Sequence, residues 1–319
     1  MLSNSLKSNE PVPAIDREQS AHLSAAIFSE QYQRPGIPVV IRGLLEAEPD
    51  WSLDYLCQAL RTLEFPVRHY GRSRSSQNKQ HWTTIGSGVE SQTMPFLEYA
   101  RLLENGEAQA EDLYLGKCSI EQTALVQRST LPQVGLRLGL TQAVSSHNLW
   151  VGVAGHTTHL HYDPFDGTLV QLHGTKRLIL FPPSQLANLY PFPLSTHLKH
   201  GLKLRSTYSQ VDLDRPDFNA FPKFEEALQS RSEVILNPGD VLYIPACWWH
   251  EVTAVGDEMV CSVNRFWRIQ PAARGLRSWS KWRAHLGSVM ATPHIVKDLV
   301  AALLTDNREQ KLKQLRQRL

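Results

Sequence analysis

The sequence has few cysteines, and they are not grouped. Four occur in 319 residues, at Cys57, Cys118, Cys247 and Cys261, without a C-x-x-C pair. That number cannot form a disulfide framework in a chain of this size, so we expect a reducing compartment. The sequence also lacks an apolar run near the ~18 residues that span a bilayer, and its N-terminus lacks the apolar core of a signal peptide. These absences predict a cytoplasmic protein without a membrane partner.

A dominant charge is missing as well. The chain has 33 basic and 31 acidic residues, which give a formal net charge of +2. Near-neutral charge implies no general attraction to nucleic acid or to an anionic membrane. What the chain does have is an ordinary globular composition, with 42% hydrophobic and 20% charged residues.

The hydrophobic pattern divides the chain into three parts. Residues 1–113 mix helical and strand patterns, with helical spacing from Asp16 to Tyr32 and from Ser52 to Leu63, and with a polar surface loop at 72–80. Residues 114–268 contain short apolar runs separated by turn residues, which predict an antiparallel barrel or sandwich of jelly-roll type. Within them, 184–231 is a long insertion. Residues 269–319 return to helical spacing.

The stretch HTTHLHYD, residues 156–163, is a candidate metal site. On a regular strand His159, His161 and Asp163 would share one face and His156 would lie on the other. A second segment, NPGDVLYIPACWWHEV, is a turn and an apolar strand that deliver His250. His250, His161 and Asp163 together supply two imidazoles and one carboxylate. Non-haem Fe(II) oxygenases bind their iron with this ligand set, which leaves coordination positions open for oxygen. A cupin set that uses His159 is the alternative.

Five segments carry a family resemblance: NLWVGVAGHTTHLHYD, GTKRLILFPPSQ, YSQVDLDRPDFNAFPKF, NPGDVLYIPACWWH and SVNRFW. In this order they resemble the JmjC-type, cupin-fold 2-oxoglutarate oxygenases. The branch most similar is the small hydroxylases, which include the asparaginyl hydroxylase of the hypoxia response and the tRNA wybutosine hydroxylase. The resemblance runs from about Pro35 to Trp267. It implies a mainly β fold, a double-stranded β-helix (jelly-roll, cupin) barrel with an α+β N-terminal part and C-terminal helices.

The resemblance also implies roles for individual residues. Fe(II) would be bound by His161, Asp163 and His250. The 2-oxoglutarate co-substrate would be held by Thr158, Lys176 and Tyr114, with Asn264 near its metal-bound end and Asn148 behind it. A lysine on a barrel strand suits this role because the distal carboxylate of 2-oxoglutarate needs a cation in a partly dry pocket.

One position departs from the family pattern. Gly167 stands six residues after His161, where related hydroxylases commonly have an asparagine. Asp166, a water molecule or no group at all is expected to replace it. His159 is expected to be a pocket histidine, or one that faces the substrate, rather than a ligand.

The resemblance therefore implies an Fe(II)- and 2-oxoglutarate-dependent dioxygenase that uses O2 to hydroxylate a C–H bond. A protein or peptide side chain is the favoured substrate. Hydroxylation of a small metabolite or a tRNA base is an alternative, and a non-catalytic, metal-binding cupin scaffold is a second class. Histone demethylation is disfavoured because no reader module, zinc-finger spacing or basic tail accompanies the barrel. The C-terminal helices imply a homodimer, and 184–231 and 72–80 are expected to select the substrate.

Overall fold

The computed structural model describes residues 14–45, 47–305, 308, 311–312 and 315. The strands are β1 (Asp16–Gln19), β2 (Val39–Arg42), β3 (Glu64–His69), β4 (Ser91–Pro95), β5 (Leu113–Ser119), β6 (Asn148–Gly152), β7 (Thr157–Tyr162), β8 (Asp166–His173), β9 (Thr175–Phe181), β10 (Ser232–Leu236), β11 (Val241–Ile244), β12 (Trp249–Val255) and β13 (Val260–Trp267). The helices are α1 (Ala25–Phe28), α2 (Leu53–Leu60), α3 (Phe96–Glu104), α4 (Glu107–Glu111), α5 (Ala124–Arg128), α6 (Leu131–Arg137), α7 (Thr196–His200), α8 (Phe224–Leu228), α9 (Ala272–Arg277), α10 (Trp279–Met290) and α11 (Thr292–Leu303). Single helical turns of other kinds occur between them, including a π-turn at Ser29–Gln33 that continues α1.

The strands from β6 to β13 form a double-stranded β-helix. β6, β8, β11 and β13 belong to one sheet, with local order β11-β8-β13-β6. β7, β9, β10 and β12 form the facing sheet, in the order β10-β9-β12-β7. The chain therefore passes from sheet to sheet along most of its length, as it does in a jelly roll. The predicted mainly β cupin barrel is confirmed.

The N-terminal part extends the larger sheet on both sides. β1 and β2 join at the β11 edge, whereas β5, β3 and β4 follow β6 at the other edge. One hydrophobic core runs through both parts, and Leu56 and Phe96 of the helices are buried in it together with Val151 and Val263 of the barrel. The boundary expected between residues 113 and 114 falls at the start of β5, inside this continuous sheet.

Local patterns explain part of this arrangement. The helix expected from Ser52 to Leu63 is α2, and the Ser52 hydroxyl caps it by accepting from the amide of Tyr55. The helix expected from Asp16 to Tyr32 is wrong in its first half. Asp16–Gln19 is a strand that pairs in parallel with β2, and the helix begins only after Ser24, which caps it. Pairing with β2 outweighs the helical spacing because it covers the edge of the larger sheet.

The insertion 184–231 covers the outer edge of β7. The amide of Tyr162 donates to Thr207 O over 3.1 Å, and the amide of Ser209 donates to Leu160 O over 2.9 Å. Arg283 of α10 holds the same insertion from behind, because its buried guanidinium donates to the carbonyls of Ser206 and Phe192. The insertion is thus an ordered wall beside the smaller sheet.

The C-terminal helices leave a wide apolar face in solvent. Its exposed side chains are Leu276, Trp279, Trp282, Leu286, Val289, Val296, Leu299, Val300, Leu303 and Leu304. Within the described residues, no single helix is long and apolar enough to cross a membrane; α10 and α11, bent by 45° to each other, meet that test only as a pair.

Candidate metal and co-substrate site

A β-bulge in β7 determines which histidine enters the barrel. His161 lies opposite His250 and Thr158 lies opposite Val252, so two residues of β7 face the single residue Glu251 of β12. The extra residue turns both Thr158 and His161 into the cavity. The regular alternation expected for this strand is therefore wrong. His159 lies outside the cavity, where its ring centroid is 4.9 Å from that of Trp82.

The cavity brings together the three expected metal ligands. His161 is on β7, Asp163 follows that strand, and His250 is on β12. Their ligand atoms lie within 4.8 Å of one another. The Asp163 carboxylate is 4.0 Å from Nε2 of His161 and 3.6 Å from Nε2 of His250. This facial set of two imidazoles and one carboxylate is typical of non-haem Fe(II) sites with open positions.

Hydrogen bonds fix the orientation of both imidazoles. Nδ1–H of His161 donates to the His159 carbonyl over 2.8 Å, and Nδ1–H of His250 donates to the Trp248 carbonyl over 3.0 Å. Each Nε2 then keeps its lone pair for a metal ion. Burial, and next the neighbouring His161, lower the pKa of His250 to about 4. His250 is thus neutral at pH 7, the form that binds metal.

The floor of the same cavity carries a buried lysine. Lys176 of β9 is 3% exposed, and its ammonium donates to the Ser262 hydroxyl over 2.5 Å. Burial lowers its pKa to about 8, and among the described residues no carboxylate pairs with it. A buried cation without a counter-charge is costly. A ligand that brings a carboxylate to Lys176 would remove that cost, so this pocket fits the distal end of 2-oxoglutarate.

Tyr114 and Thr158 stand beside this lysine in the cavity lining. The two hydroxyl groups are hydrogen-bonded, and burial raises the pKa of Tyr114 above its usual range. The Tyr114 ring stacks on His156, with ring centroids 3.7 Å apart. A Cβ atom at Gly152 would lie 2.3 Å from Cδ2 of Tyr114, so the strand opposite must have glycine there. Packing thus holds the Tyr114 hydroxyl in position.

The two asparagines expected near the co-substrate have different positions. Asn264 of β13 lines the cavity, and its side-chain carbonyl accepts from the indole N–H of Trp150 over 2.8 Å. Asn148 pairs with it across the strands but is not among the described residues that line the cavity. Trp150, which sequence reasoning did not single out, lies there instead. Trp150 lies two residues after Asn148 on β6, so the two side chains share one face of the strand. This spacing is the sequence signal that could have indicated Trp150.

Asp166 does not replace the missing asparagine at Gly167. The Asp166 carboxylate is fully buried and accepts from Arg274 of α9 over 2.5 and 2.7 Å, and from the amide of Ala246. Gly167 lines the cavity, and a Cβ atom there would meet its nearest atom, on Phe266, at 3.5 Å. The position is therefore roomy, and the described side chains leave it open.

The family follows from a profile comparison. A profile described as a cupin-like domain matches residues 24–273. The chain belongs to the cupin-like family. Its relatives include lysine-specific demethylase 8 of Xenopus tropicalis, 29% identical over 80% of this chain and 54% of that protein, and lysine-specific demethylase JMJ31 of Arabidopsis thaliana, 34% identical over 77% of this chain and 48% of that protein. A third is tRNA wybutosine-synthesizing protein 5 of Gallus gallus, 27% identical over 74% of this chain and 71% of that protein.

These relatives identify the JmjC type of cupin, as the sequence segments predict. The chain spans about half the length of the first two relatives, 54% and 48%. Fe(II) and 2-oxoglutarate are the metal and co-substrate of JmjC oxygenases, and the His161–Asp163–His250 cluster offers ligands of the required kind. The cluster therefore offers the ligands that the metal of this family requires, and the activity of this chain is a separate question.

Proposed function

We propose that the protein hydroxylates a C–H bond of a protein side chain, with Fe(II), 2-oxoglutarate and O2. The observation that supports this most is one cavity with two different features. At its rim, two imidazoles and a carboxylate converge within 4.8 Å. At its floor, Lys176 is a buried cation without a counter-charge from the described residues. A metal ion and a dianionic co-substrate together satisfy both.

Each group of the cavity has a defined task in this proposal. His161, Asp163 and His250 would hold the iron, which when bound supplies the oxidising chemistry by coupling decarboxylation of 2-oxoglutarate to O2 activation. Lys176, with Tyr114 and Thr158, would bind the distal carboxylate of the co-substrate. Further residues of the cavity lining are apolar, among them Leu169, Ile244, Val252 and Phe266. They would exclude water and so strengthen the charge interaction at Lys176.

The choice of substrate rests on the relatives and on the net charge of the chain. Two of the relatives are named for lysine demethylation and one for tRNA wybutosine synthesis. A protein side chain remains our first choice because the net charge of +2 gives no general attraction to RNA. A small metabolite or a tRNA base is the alternative. A scaffold that binds metal without catalysis would retain the cluster but release no succinate.

A pair of histidine variants tests the proposal. The wild-type protein is titrated anaerobically with Fe(II) and then with 2-oxoglutarate, by calorimetry and visible absorption, and afterwards exposed to O2 to measure succinate. We expect His161→Ala to lose iron binding and succinate formation and His159→Ala to keep both. Failure of the wild-type protein to bind either ligand would refute the proposal. Equal loss in both variants would instead favour a ligand set that includes His159.

We also propose that the protein forms a homodimer through its C-terminal helices. Helix α10 exposes three large apolar side chains, Trp279 (58%), Trp282 (47%) and Val289 (68%). Exposed apolar groups close together on one helix often mark a protein–protein interface. Light scattering of the full chain should show a dimer, and Trp282→Glu should convert it to a monomer. Leu136→Glu is the control, since Leu136 is 65% exposed on α6. A wild-type monomer at micromolar concentration would contradict this proposal.

The cytoplasmic location stays a proposal too. No disulfide links the four cysteines, all of which lie in the described part of the chain. Reduced thiols are the usual state in a reducing compartment. Cell fractionation of the native protein tests this, and its recovery from an oxidising compartment would contradict it.

A further inference from the structure

A second cleft opens beside the candidate metal site and carries three cationic side chains. Arg68 comes from β3, Lys117 from β5 and Arg205 from the insertion. We call these three residues the basic cluster. The cleft shares His161 and Asp163 with the co-substrate cavity, but Lys176 lines only the cavity. The basic cluster therefore faces the metal site from the side away from Lys176.

A bulge in β5 aims Lys117 into this cleft. Leu115 pairs with Val151 and Cys118 with Leu149, so Gly116 and Lys117 together lie opposite Trp150. Lys117 has a φ of 57°, a left-handed conformation that non-glycine residues rarely adopt. Backbone conformations of this kind persist where the surrounding structure enforces them, and they occur often at functional sites.

The same bulge holds Arg68 in place. A Cβ atom at Gly116 would lie 2.8 Å from the Trp150 ring and 2.9 Å from Nη1 of Arg68. Only glycine lets these groups approach so closely, and the Arg68 guanidinium lies over Trp150 at 5.9 Å from the ring centroid. The absence of a side chain at Gly116 thus allows Arg68, Lys117 and the Trp150 ring to lie close together.

The basic cluster repels itself. Burial, and then Arg205 and Arg68, lower the pKa of Lys117 to about 8, whereas only the Asp163 carboxylate raises it. Arg205 donates to the Ser87 hydroxyl over 3.2 Å, and its guanidinium also interacts with the Asp163 carboxylate. Within the described residues, no ion pair involves Arg68 or Lys117. Asp163 is itself an expected metal ligand, so an anion from outside would supply the counter-charge for Arg68 and Lys117.

The charge of the cleft discriminates among substrates. A methylated lysine, the group for which two of the relatives are named, would place a cation beside three others. A nucleic-acid strand would need a basic surface to follow its phosphates, and the net charge is only +2. An acidic peptide fits both the local positive charge and the aromatic walls formed by Tyr70, Trp150 and Tyr208.

We infer that this cleft binds an acidic peptide segment, with one carboxylate held by Arg68, Lys117 and Arg205 beside the residue that reaches the metal site. The inference rests on the proposed function, because it names the substrate class of that same site. It assigns the basic cluster to substrate selection and not to 2-oxoglutarate. Guanidinium groups bind carboxylates through paired hydrogen bonds, so two arginines and a lysine can hold one carboxylate firmly.

Peptide binding without turnover tests this inference. The full-length protein is loaded with Mn(II) and 2-oxoglutarate, and calorimetry first verifies that both bind. Labelled peptides that differ only in one residue, glutamate, glutamine or trimethyl-lysine, are then titrated by fluorescence anisotropy. We expect the glutamate peptide to bind about tenfold more tightly than the glutamine peptide or better. High salt should reduce this preference.

Variants of Lys117 separate binding from folding. Lys117→Gln should remove most of the preference for glutamate, and Lys117→Glu should shift it toward trimethyl-lysine. Lys223→Gln is the control, because it removes the same charge from an exposed position outside the cleft. Thermal unfolding of each variant shows whether it is folded, and Arg205→Gln provides a second test of the cluster if Lys117 variants do not fold.

The outcomes distinguish this inference from the function on which it rests. If the wild-type protein binds neither Mn(II) nor 2-oxoglutarate, the proposed function fails. If it binds both but prefers the glutamine or trimethyl-lysine peptide, or shows no preference, only the acidic-peptide inference fails. Tighter binding of an RNA hairpin, or of free glutamate, than of the glutamate peptide would also overturn it.

Discussion

His161 and His250 face each other across the β7–β12 pair, with ring centroids 4.3 Å apart, and each donates Nδ1–H to the carbonyl two residues before it. The same local arrangement on two antiparallel strands therefore points both Nε2 atoms to one place. Tyr208 of the insertion stacks on His161, with ring centroids 4.8 Å apart, and restrains that ring from the side of the cleft.

Metal binding should stabilise the fold through this cluster. At a free Mn(II) concentration one hundred times its dissociation constant, we expect the free energy of unfolding to rise by about 2.7 kcal/mol. Asp163→Asn removes the only charged ligand of the set, so the variant should show little of this gain. Chemical unfolding with and without Mn(II) measures it. Equal stabilisation of both proteins would show that the metal binds elsewhere.

Lys176→Met should affect co-substrate binding and folding in opposite directions. Losing a charge-assisted interaction should weaken 2-oxoglutarate binding by about 1.5–3 kcal/mol, which is at least tenfold in affinity. Removing a buried charge without a carboxylate partner should keep or raise the free energy of unfolding of the ligand-free protein. Calorimetry and urea unfolding check the two effects. A destabilised variant with unchanged affinity would make Lys176 a structural residue.

The stability gain of Lys176→Met should depend on pH. The pKa of Lys176 is lowered to about 8 in the folded protein, so between about pH 8 and 10.4 the unfolded chain binds more protons at this site. The wild-type contribution at this residue therefore becomes more favourable as pH rises through that range. We expect the difference between variant and wild type to be largest near pH 7 and to shrink toward pH 10. A constant difference would show that Lys176 has the same pKa in the folded and the unfolded protein.

Two glycines of the barrel should respond differently to the same substitution. Gly152→Ala places Cβ 2.3 Å from the Tyr114 ring, so we expect a loss of about 1–3 kcal/mol in unfolding free energy and weaker 2-oxoglutarate binding. Gly167→Ala meets its nearest atom at 3.5 Å and should leave stability within about 0.5 kcal/mol. Thermal and chemical unfolding compare the pair. Equal effects would mean that Tyr114 can move aside freely.

The ion pair between Asp166 and Arg274 should anchor the C-terminal helices to the barrel. Arg274→Ala leaves the buried Asp166 carboxylate without its partner and should cost about 3–5 kcal/mol of unfolding free energy. Arg277→Ala, one helical turn later and exposed, should stay within about 0.5 kcal/mol. Urea unfolding of both variants measures the difference, and a neutral Arg274→Ala would show that water replaces the guanidinium.

The barrel, and the residues that meet in its cavity, could be predicted from the sequence. Strand runs, turn residues and the H-x-D motif are local patterns, so each can be recognised within a short segment. Contacts between distant segments were not accessible in this way. The loop 72–80 was expected to be a polar surface loop, yet Lys79 is 3% exposed and donates to the Val211 carbonyl over 2.9 Å. Its ammonium lies 3.9 Å from the carboxylate of Glu251, which belongs to a strand far along the chain. The need for a buried partner to Glu251 is invisible in the loop itself.

The β7 bulge arises from the same buried carboxylate. The amide of Leu160 donates to Oε2 of Glu251 over 3.0 Å, so a side chain replaces the strand partner that the extra residue has lost. Nothing in the letters of HTTHLHYD marks this, since no glycine or proline is present. The expected sharing of one face by His159 and His161 was therefore wrong. His159 lies outside the cavity, and that it is not a ligand stays a prediction.

The bulge also determines which residues of β7 face the cavity. Thr158 and His161 enter the cavity three residues apart, which an unbroken strand cannot achieve. In a strand that kept Leu160 but had no bulge, with His161 still opposite His250, Thr158 would lie on the outer face and His159 would take its place within. One inserted residue thus decides that a hydroxyl, and not a third imidazole, stands beside the metal ligands.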